Sequence, residues 1–303
     1  MRQRGMALLV VLLMVATMAA VAVNTQEHWQ RALSRAEGQQ FRQQAKWTLL
    51  GAEEWVRLQL LATLPEDRVH LGQPWARANQ SFQLDDITVH YRLQDNQACF
   101  NLNAVIPPRV RPPLAETEAE PIAPRAPLPQ RIFTQLLINQ ALSEAQATAI
   151  TMALTVATPL QDSSQLRALP GVNRELWLRL KQLVCVQPHS RLRININTLQ
   201  GSSGVELLTA LMQGHFPRRQ AQNRLAARPG TGWPGVDALA GEALGNAAAA
   251  AFAELQSLAT LSSDDMDLLL WTEQGQHSYQ LRSRLTRTEQ GFRVTERRYG
   301  GNE

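Results

Sequence analysis

The sequence predicts an α+β protein in which a long N-terminal helix packs on an antiparallel sheet and a large all-α domain is inserted into that sheet. Three observations predict this class. Residues 6–23 carry no charge, and apolar residues at helical spacing continue beyond them to about residue 64. Alternation of apolar and polar residues marks strands around Ile87–Leu93 and again within 261–300. Between these strands, apolar residues at helical spacing predict mainly helices.

The N-terminal helix begins with a hydrophobic segment, Met6–Val23, whose only polar side chain is Thr17. Eighteen helical residues rise about 27 Å, close to the thickness of a bilayer's hydrocarbon core. We therefore expect residues 6–23 to cross a membrane. Arg2 and Arg4 precede the segment and favour a cytoplasmic N-terminus, with the bulk of the chain outside. A cleaved secretory signal is the alternative, because Ala20-Val21-Ala22 has the form of a cleavage site.

The same helix is expected to continue through residues 24–64, since no proline interrupts positions 6–64 and only Gly38 and Gly51 weaken it. Large apolar side chains on this part are candidates for packing against neighbouring helices, although several could instead cover the protein's own sheet. They are Trp29, Leu33, Phe41, Trp47 and Trp55.

The first sheet segment is expected within residues 65–105. Ile87, Val89, Tyr91 and Leu93 alternate with polar partners, a turn follows at Asp95-Asn96, and Ala98–Leu102 has the pattern of a second strand. Residues 106–129 then contain eight of the chain's 16 prolines, which predicts a loop without helix or central strand. A polyproline docking motif is the alternative for this segment.

Helical patterns fill an inserted domain at residues 130–192 and a second helical region at 193–260. Ser143 and Gln146 have the spacing of a capping box, and Leu169-Pro170-Gly171-Val172 lies between two helices. In the second region Ile194 and Ile196 alternate with asparagines, and Thr198 is expected to cap a helix that ends near Leu211. Residues 261–300 predict a three-stranded meander with turns at 273–276 and 289–291.

Composition and charge exclude some functions. The formal net charge of +4 includes Arg2 and Arg4, so the basic balance does not demand a nucleic-acid partner. Six histidines are dispersed, and the sequence has no His-Glu-x-x-His, Gly-x-Ser-x-Gly or phosphate-loop motif. We therefore predict a protein without enzymatic activity and without a required cofactor.

Cys99 and Cys185 are the only cysteines, too few and too far apart for a zinc cluster. In an oxidising compartment outside the cytoplasm they are candidates for a disulfide, and two buried free thiols are the alternative.

The start of the chain, RQRG followed by MALLVVLL, resembles the processing signal of type IV pilins and pseudopilins. The resemblance implies that residues 1–5 are a leader, that a prepilin peptidase cuts after Gly5, and that the same enzyme methylates Met6. It also implies a pilin-like arrangement of the long helix on the sheet.

The chain resembles the K-type minor pseudopilin of bacterial type II secretion systems over nearly its whole length. The resemblance rests on CFNLNAV, the helical block with LPGV, the second cysteine, ININT and the C-terminal meander. The resemblance implies a single-pass inner-membrane protein with its bulk in the periplasm. It implies as partners the I- and J-type minor pseudopilins, the major pseudopilin and the prepilin peptidase. The implied role is at the pseudopilus tip, in the export of folded proteins across the outer membrane.

Val10 occupies the fifth mature position, where most pilin-like subunits carry glutamate. In the family's assembly logic, the carboxylate of an incoming subunit pairs with the N-terminal amine of the subunit above. A subunit without the acid cannot offer this pairing, whereas its own Met6 amine can still receive it. This pattern favours the first position in the filament; an ordinary membrane-helix valine is the alternative.

Calcium has been associated with the same family, and Asp264, Asp265 and Asp267 offer oxygen ligands that calcium prefers. Their spacing is not that of an EF-hand, and a solvated turn is the alternative.

Two other functions remain open from the sequence alone. ININT and the segment Gln213–Pro217 resemble parts of helix-hairpin-helix DNA-binding proteins, but Pro217 lacks an N–H for phosphate and the usual second glycine is absent. An isolated, monomeric periplasmic binding module is the other alternative.

Overall fold

A computed structural model describes residues 3–65, 67–107, 126–240 and 246–300. Most of the proline-rich segment predicted at 106–129 therefore lies outside the described residues. The helices are α1 (Gln3–Thr63), α2 (Leu128–Asn139), α3 (Glu144–Thr155), α4 (Arg174–Leu180), α5 (Gly201–Leu211), α6 (Arg218–Ala226), α7 (Asp237–Ala240) and α8 (Asn246–Gln256). The strands are β1 (Gln80–Leu84), β2 (Ile87–Asp95), β3 (Phe100–Asn101), β4 (Val184–Cys185), β5 (Ile194–Asn195), β6 (Ala259–Thr260), β7 (Asp265–Gln274), β8 (His277–Thr288) and β9 (Gly291–Gly300).

The predicted α+β class is confirmed. Helix α1 is continuous, and its second half packs on one face of a five-stranded antiparallel sheet of order β1-β2-β7-β8-β9. The helical segments lie between β2 and β7, as an insertion into the sheet. The three-stranded meander β7–β9 also agrees with the predicted C-terminal pattern.

Helix α1 contributes a narrow apolar face to the sheet. The buried side chains recur every three or four residues, the spacing that keeps them on one side of a helix. They are Phe41, Ala45, Leu49, Ala52, Val56 and Leu60. Four of them, Leu49, Ala52, Val56 and Leu60, form one hydrophobic cluster with inward-facing residues of β2, β7, β8 and β9. We call the sheet and the half of α1 packed on it the sheet body.

A second hydrophobic cluster, the helical body, contains side chains of α2 to α8 and the short strands β3 to β5. Residues from both predicted helical regions, 130–192 and 193–260, contribute to this one cluster. The predicted capping box is present, because the Ser143 hydroxyl accepts from the Gln146 N–H and the Gln146 side chain accepts from the Ser143 N–H.

Two local predictions were wrong. The expected strand at 98–102 is reduced to the two residues of β3, and Thr198 does not cap α5. The N-cap of α5 is Gln200, and the Thr198 hydroxyl instead donates to the carboxylate of Asp95. After β3 the Asn101 side chain, rather than a neighbouring strand, accepts from the N–H groups of Asn103 and Gln187.

The connections to the helical body leave the sheet at the end farthest from the apolar segment of α1. The rings of Phe41 and His277 stack at 5.7 Å near the start of β8, while Arg287 near its end donates to the carbonyl of Leu64 beyond α1. Strand β8 therefore runs in the same direction as α1, away from the apolar segment. Asp95, the last residue of β2, pairs with Met266, which in turn pairs with Leu285 near the end of β8. Both connections to the helical body thus leave the sheet at its distal end.

Candidate assembly surface and the joint between the two bodies

The N-terminal half of α1 stands free of the rest of the protein. An 18-residue window within it has a mean hydropathy of 2.3, and none of that window is buried against the protein. The first α1 residue buried by the sheet body is Gly38. This apolar rod can therefore be covered only by lipid or by other proteins.

The predicted processing residues Gly5 and Met6 lie in the first turns of α1, and the Met6 side chain is exposed. Val10 is also exposed on the apolar part of the helix. Because the structure contains neither a peptidase nor a neighbouring helix, the roles assigned to these three residues stay predictions.

The five large apolar residues predicted to pack on neighbours divide into two groups. Phe41 is 7% exposed and covers the protein's own sheet. Trp55 is partly covered, since its ring lies 4.2 Å from that of Phe82. Trp29 and Trp47 are 70% and 68% exposed, and Leu33 is also exposed. Trp29 and Trp47 are 18 residues apart, which is five helical turns, so they project from the same side of α1.

This exposed stripe continues upward through Leu58, which is also exposed. Lys46 lies beside it, with its amine 5.9 Å from the ring of Trp47 and 5.5 Å from that of Tyr299 on β9. These apolar side chains are therefore exposed on the side of α1 opposite the sheet, where the polar side chains of Gln40, Gln43 and Glu54 lie between them. We call Trp29, Leu33, Trp47 and Leu58 the α1 stripe.

The two asparagine-rich motifs explain how short strands hold the helical body together. The Asn101 side chain accepts from the N–H groups of Asn103 and Gln187 and donates to the carbonyls of His189 and Arg191. Asn103 accepts from the Leu160 N–H and donates to the carbonyls of Leu160 and Gln187. Each amide thus makes the paired bonds that a neighbouring strand would otherwise supply.

ININT works in the same way. The Asn197 amide accepts from the Trp233 N–H at 2.7 Å and donates to the Trp233 carbonyl at 3.2 Å. Gly232, at φ +73°, approaches this amide so closely that a Cβ atom there would lie 2.7 Å from Asn197 Nδ2. A side chain at Gly232 would therefore break the contact.

The disulfide candidate cysteines are bonded to each other in the structure, with 86 residues of sequence separation. The bond lies where β3 and β4 pair, because Asn101 is opposite Cys185 in the register. It therefore connects Cys99, just before β3 where the chain enters the helical body, to Cys185 on β4, which follows α4.

Asp95, which the sequence predicted only as part of a turn, lies in a buried cluster where the two bodies meet. Its Oδ2 accepts from the hydroxyls of Thr198 and Ser263, both at 2.5 Å, and from the Asn195 amide at 3.1 Å. Its Oδ1 accepts from the Gln97 N–H at 2.8 Å. Burial raises the pKa of Asp95 to about 6, although these four hydrogen bonds act in the opposite direction. We call Asp95, Asn195, Thr198 and Ser263 the joint.

A second contact between the two bodies involves β9, at a position opposite the middle of β8. Arg298 on β9 forms an ion pair with Asp162 of the helical body and donates to the Gln161 carbonyl at 3.2 Å. Burial would raise the pKa of Asp162, but hydrogen bonds from Ser164 and Arg298 lower it to about 2. Asp162 therefore keeps its charge throughout the ordinary pH range.

The three predicted calcium ligands do not converge. Asp264 pairs with Arg193 at 2.8 Å, and Asp267 faces Arg282 and Arg284 at 3.5 and 3.8 Å. Asp265 accepts from the Thr286 hydroxyl and lies 3.5 Å from His189 Nε2. Within the described ranges the structure contains no group of three or more His, Cys, Asp or Glu residues that could hold a metal.

Polar and charged side chains at and beside the hairpin Gln213–Pro217 are bonded within the helical body. Gln213 accepts from Arg131, and the adjacent Arg218 is paired with Glu206. Arg228, the last basic residue of this region, donates to the carbonyls of Ile196 and Leu199. These cationic groups are thus used within the helical body.

Comparison with known proteins gives a consistent result. Residues 194–266 match the family model described as "Type II secretion system (T2SS), protein K". The chain is 32% identical to the type II secretion system protein K of Klebsiella pneumoniae, over 99% of this chain and 97% of that protein. It is 30% identical to the protein K of Dickeya chrysanthemi, over 77% of this chain and 79% of that protein.

A similar fold occurs in a crystal structure of the GspK-GspI-GspJ complex from the type 2 secretion system of enterotoxigenic Escherichia coli. The superposition has a TM-score of 0.73 at 27% identity, and it covers 88% of this chain and all of the matched chain. The similarity therefore includes the sheet and the inserted helical body together.

Proposed function

Because this chain belongs to the type II secretion system protein K family, we propose that it is the tip subunit of a pseudopilus, assembled with I- and J-type minor pseudopilins. The solved relative is a complex of K, I and J proteins, which supports the choice of partners. The major pseudopilin would follow beneath this complex. The role is one of assembly and not of catalysis.

The observation that carries the proposal is the position of the helical body. It is attached at the membrane-distal end of the sheet, through Asp95 on one side and the segment before Asp265 on the other. In a filament that grows from the membrane, this bulk would lie above the subunit's own helix. Subunits could then be added below it, along the α1 stripe, but would meet the helical body above.

Val10 supports the same position. A carboxylate at this depth in the membrane costs several kcal/mol unless an opposite charge matches it. A subunit at the tip has no amine above it to provide that match. A valine at this position removes the need for one, while the Met6 amine stays available to a subunit below.

Processing would precede assembly. Prepilin peptidase would cut after Gly5 and methylate Met6, and the apolar segment would then anchor the protein in the inner membrane with its bulk in the periplasm. The exposed indoles at Trp29 and Trp47 would meet neighbouring helices as the subunit leaves the lipid. The complete tip would support the export of folded proteins across the outer membrane.

The experiment is co-purification of the full chain with the I- and J-type minor pseudopilins, together with mass measurement of its mature N-terminus. The expected result is one stable complex in which this chain lacks residues 1–5 and carries one N-terminal methyl group. A mature chain that begins beyond residue 23 and is free in the periplasm would contradict the proposal.

The tip position is tested separately with Val10→Glu, using Val11→Glu as the control that adds the same charge at the neighbouring position. In overproduced pseudopili, labelling of the unaltered chain is expected at one end only. Val10→Glu is expected to place the subunit along the filament as well, and Val11→Glu is expected to impair assembly without doing so. Labelling of the unaltered chain along the filament would refute the tip assignment.

A further inference from the structure

We propose that the joint is a proton-controlled connection, in which protonated Asp95 holds the helical body against the sheet and ionised Asp95 loosens that contact. This inference concerns movement between the two bodies and goes beyond the proposed place in the filament. It rests on the arrangement of hydrogen bonds around one buried carboxyl group.

Asp95 is bonded from three separate parts of the chain. Asn195 and Thr198 belong to the segment that leads into α5, Ser263 belongs to the segment that returns to β7, and Asp95 itself ends β2. The Asn195 amide also donates to Ser263 Oγ and to the carbonyl of Val69. Opening the joint would therefore separate the sheet from the helical body at its central polar contact.

The joint can accept a proton without losing its connections. The Thr198 hydroxyl lies 3.1 Å from the Asn195 carbonyl as well as 2.5 Å from Asp95 Oδ2. When Asp95 is protonated, this hydroxyl can turn to donate to Asn195 and accept the new O–H. The same atoms thus form a complete network in both protonation states of Asp95.

Ionised Asp95 has no compensating positive charge. Among the residues that the structure describes, no lysine, arginine or histidine forms an ion pair with it. Charged and titratable groups lie on the surrounding elements, including Arg68 and His70, which flank Val69. Asp265 on β7 faces His189, and Asp264 is paired with Arg193 from the segment before β5. A buried, uncompensated carboxylate favours an opened joint in which water can reach it.

The sign and size of the effect follow from the proton affinities. The pKa of Asp95 is about 6 in the closed joint, against an ordinary value of 3.8 when water surrounds the group. The closed joint therefore binds the proton more tightly, and its advantage is lost as the pH rises from about 4 to 6. The ratio of closed to open joint is expected to fall roughly 50-fold between pH 4 and pH 7.

The test is amide hydrogen exchange on the full chain in detergent from pH 4 to pH 7, corrected for the intrinsic pH dependence of exchange. The reporting amides are those of Asn195 and Val69, which donate to the carbonyls of Gln97 and Leu261 across the junction. Their opening is expected to increase roughly 50-fold over this range. In the isosteric variant Asp95→Asn, the pH dependence is expected to disappear.

His189 lies 3.5 Å from Asp265 and is another titratable side chain near this junction. His189→Gln is therefore measured as the matched control and is expected to retain the unaltered chain's pH dependence. Loss of the dependence in His189→Gln, or its persistence in Asp95→Asn, overturns the assignment.

Carbon-13 NMR of the Asp95 carboxyl group in the unaltered chain provides a measurement that needs no variant. A titration midpoint between pH 5 and pH 7 supports the proposal, and a midpoint below 4.5 overturns it. Neither result depends on whether the protein is found at the tip of a pseudopilus.

Discussion

Removal of the disulfide is expected to destabilise the helical body selectively. In the variant carrying Cys99→Ser and Cys185→Ser, the unfolded chain is no longer constrained by a loop with a sequence separation of 86 residues. The chain-entropy model assigns such a loop about 4.6 kcal/mol at 25 °C, and native disulfides in general contribute about 2–5 kcal/mol. We expect the free energy of unfolding of the helical body to decrease by about 2–5 kcal/mol.

The location of the loop makes this prediction specific. The closed loop contains α2, α3 and α4, whereas α1 and strands β7 to β9 lie outside it. Hydrogen exchange of the full chain in detergent, measured against urea concentration, separates the two parts. Amides of α2 to α4 are expected to lose protection at lower urea in the double variant, and those of β7 to β9 to change much less.

The control is reduction of the unaltered chain by a thiol, which should reproduce the effect, whereas the double variant should not respond to the thiol. The reasoning is refuted if the double variant loses less than about 1 kcal/mol in α2 to α4. It is also refuted if β7 to β9 lose as much protection as the helices.

Four further changes test other parts of the structure. Asn101→Ala leaves the Gln187 N–H and two carbonyls without their partner, and chemical unfolding should show a loss of about 2–4 kcal/mol in the free energy of unfolding. The control is Asn139→Ala, which removes one bond from the Gln135 side chain; a loss in Asn101→Ala no larger than in this control would contradict the prediction. Glu53→Ala removes the bonds to Arg297 and Ser283 and should cost about 2 kcal/mol, since the half-exposed Arg297 can regain water; the exposed Glu54→Ala is the control. Phe41→Ala should lower the unfolding free energy by about 3 kcal/mol, whereas Trp47→Ala should leave it nearly unchanged and weaken co-purification with the minor pseudopilins; the reverse result would reject the α1 stripe. Calcium is not expected to raise the melting temperature of the purified chain, since Asp264, Asp265 and Asp267 do not form one site. A melting temperature that rises with calcium concentration would contradict this.

The long helix and the C-terminal meander were predictable because their patterns are local. The apolar spacing of α1 and the alternation in β7 to β9 depend on neighbours along the chain, and the structure confirms both. The capping box at Ser143 is also local, since one side chain and one N–H three residues away complete it.

The strand predicted at Ala98–Leu102 was too long for a physical reason, and ININT shows the same reason. Its alternating residues do not divide into a buried and an exposed face, because Ile194, Asn195, Ile196 and Asn197 are all fully buried. Buried asparagine, however, bonds to whatever backbone lies nearby in space, and that partner is distant in sequence. Asn101 reaches Arg191, and Asn195 reaches Val69. No spacing rule predicts such partners.

The candidate assembly surface was only partly predictable. Five large apolar residues on α1 share a helical pattern, but the pattern cannot tell which side of the helix the sheet will cover. The structure buries Phe41 and partly covers Trp55, and it leaves Trp29, Leu33 and Trp47 exposed. The choice depends on the rotation of α1 about its own axis, which the packing against β8 and β9 determines.

The sequence by itself determined the elements whose stabilising contacts are close in the chain: an uncharged helix and a sheet interrupted by helices. Only the tertiary structure decided that the helical body lies at the distal end of the sheet and that Asp95 is buried where the two bodies meet. The physical reason is that a carboxyl group's environment is set by every segment packed around it. Thr198 and Ser263 lie 103 and 168 residues from Asp95 along the chain, and they meet it only after both bodies have folded.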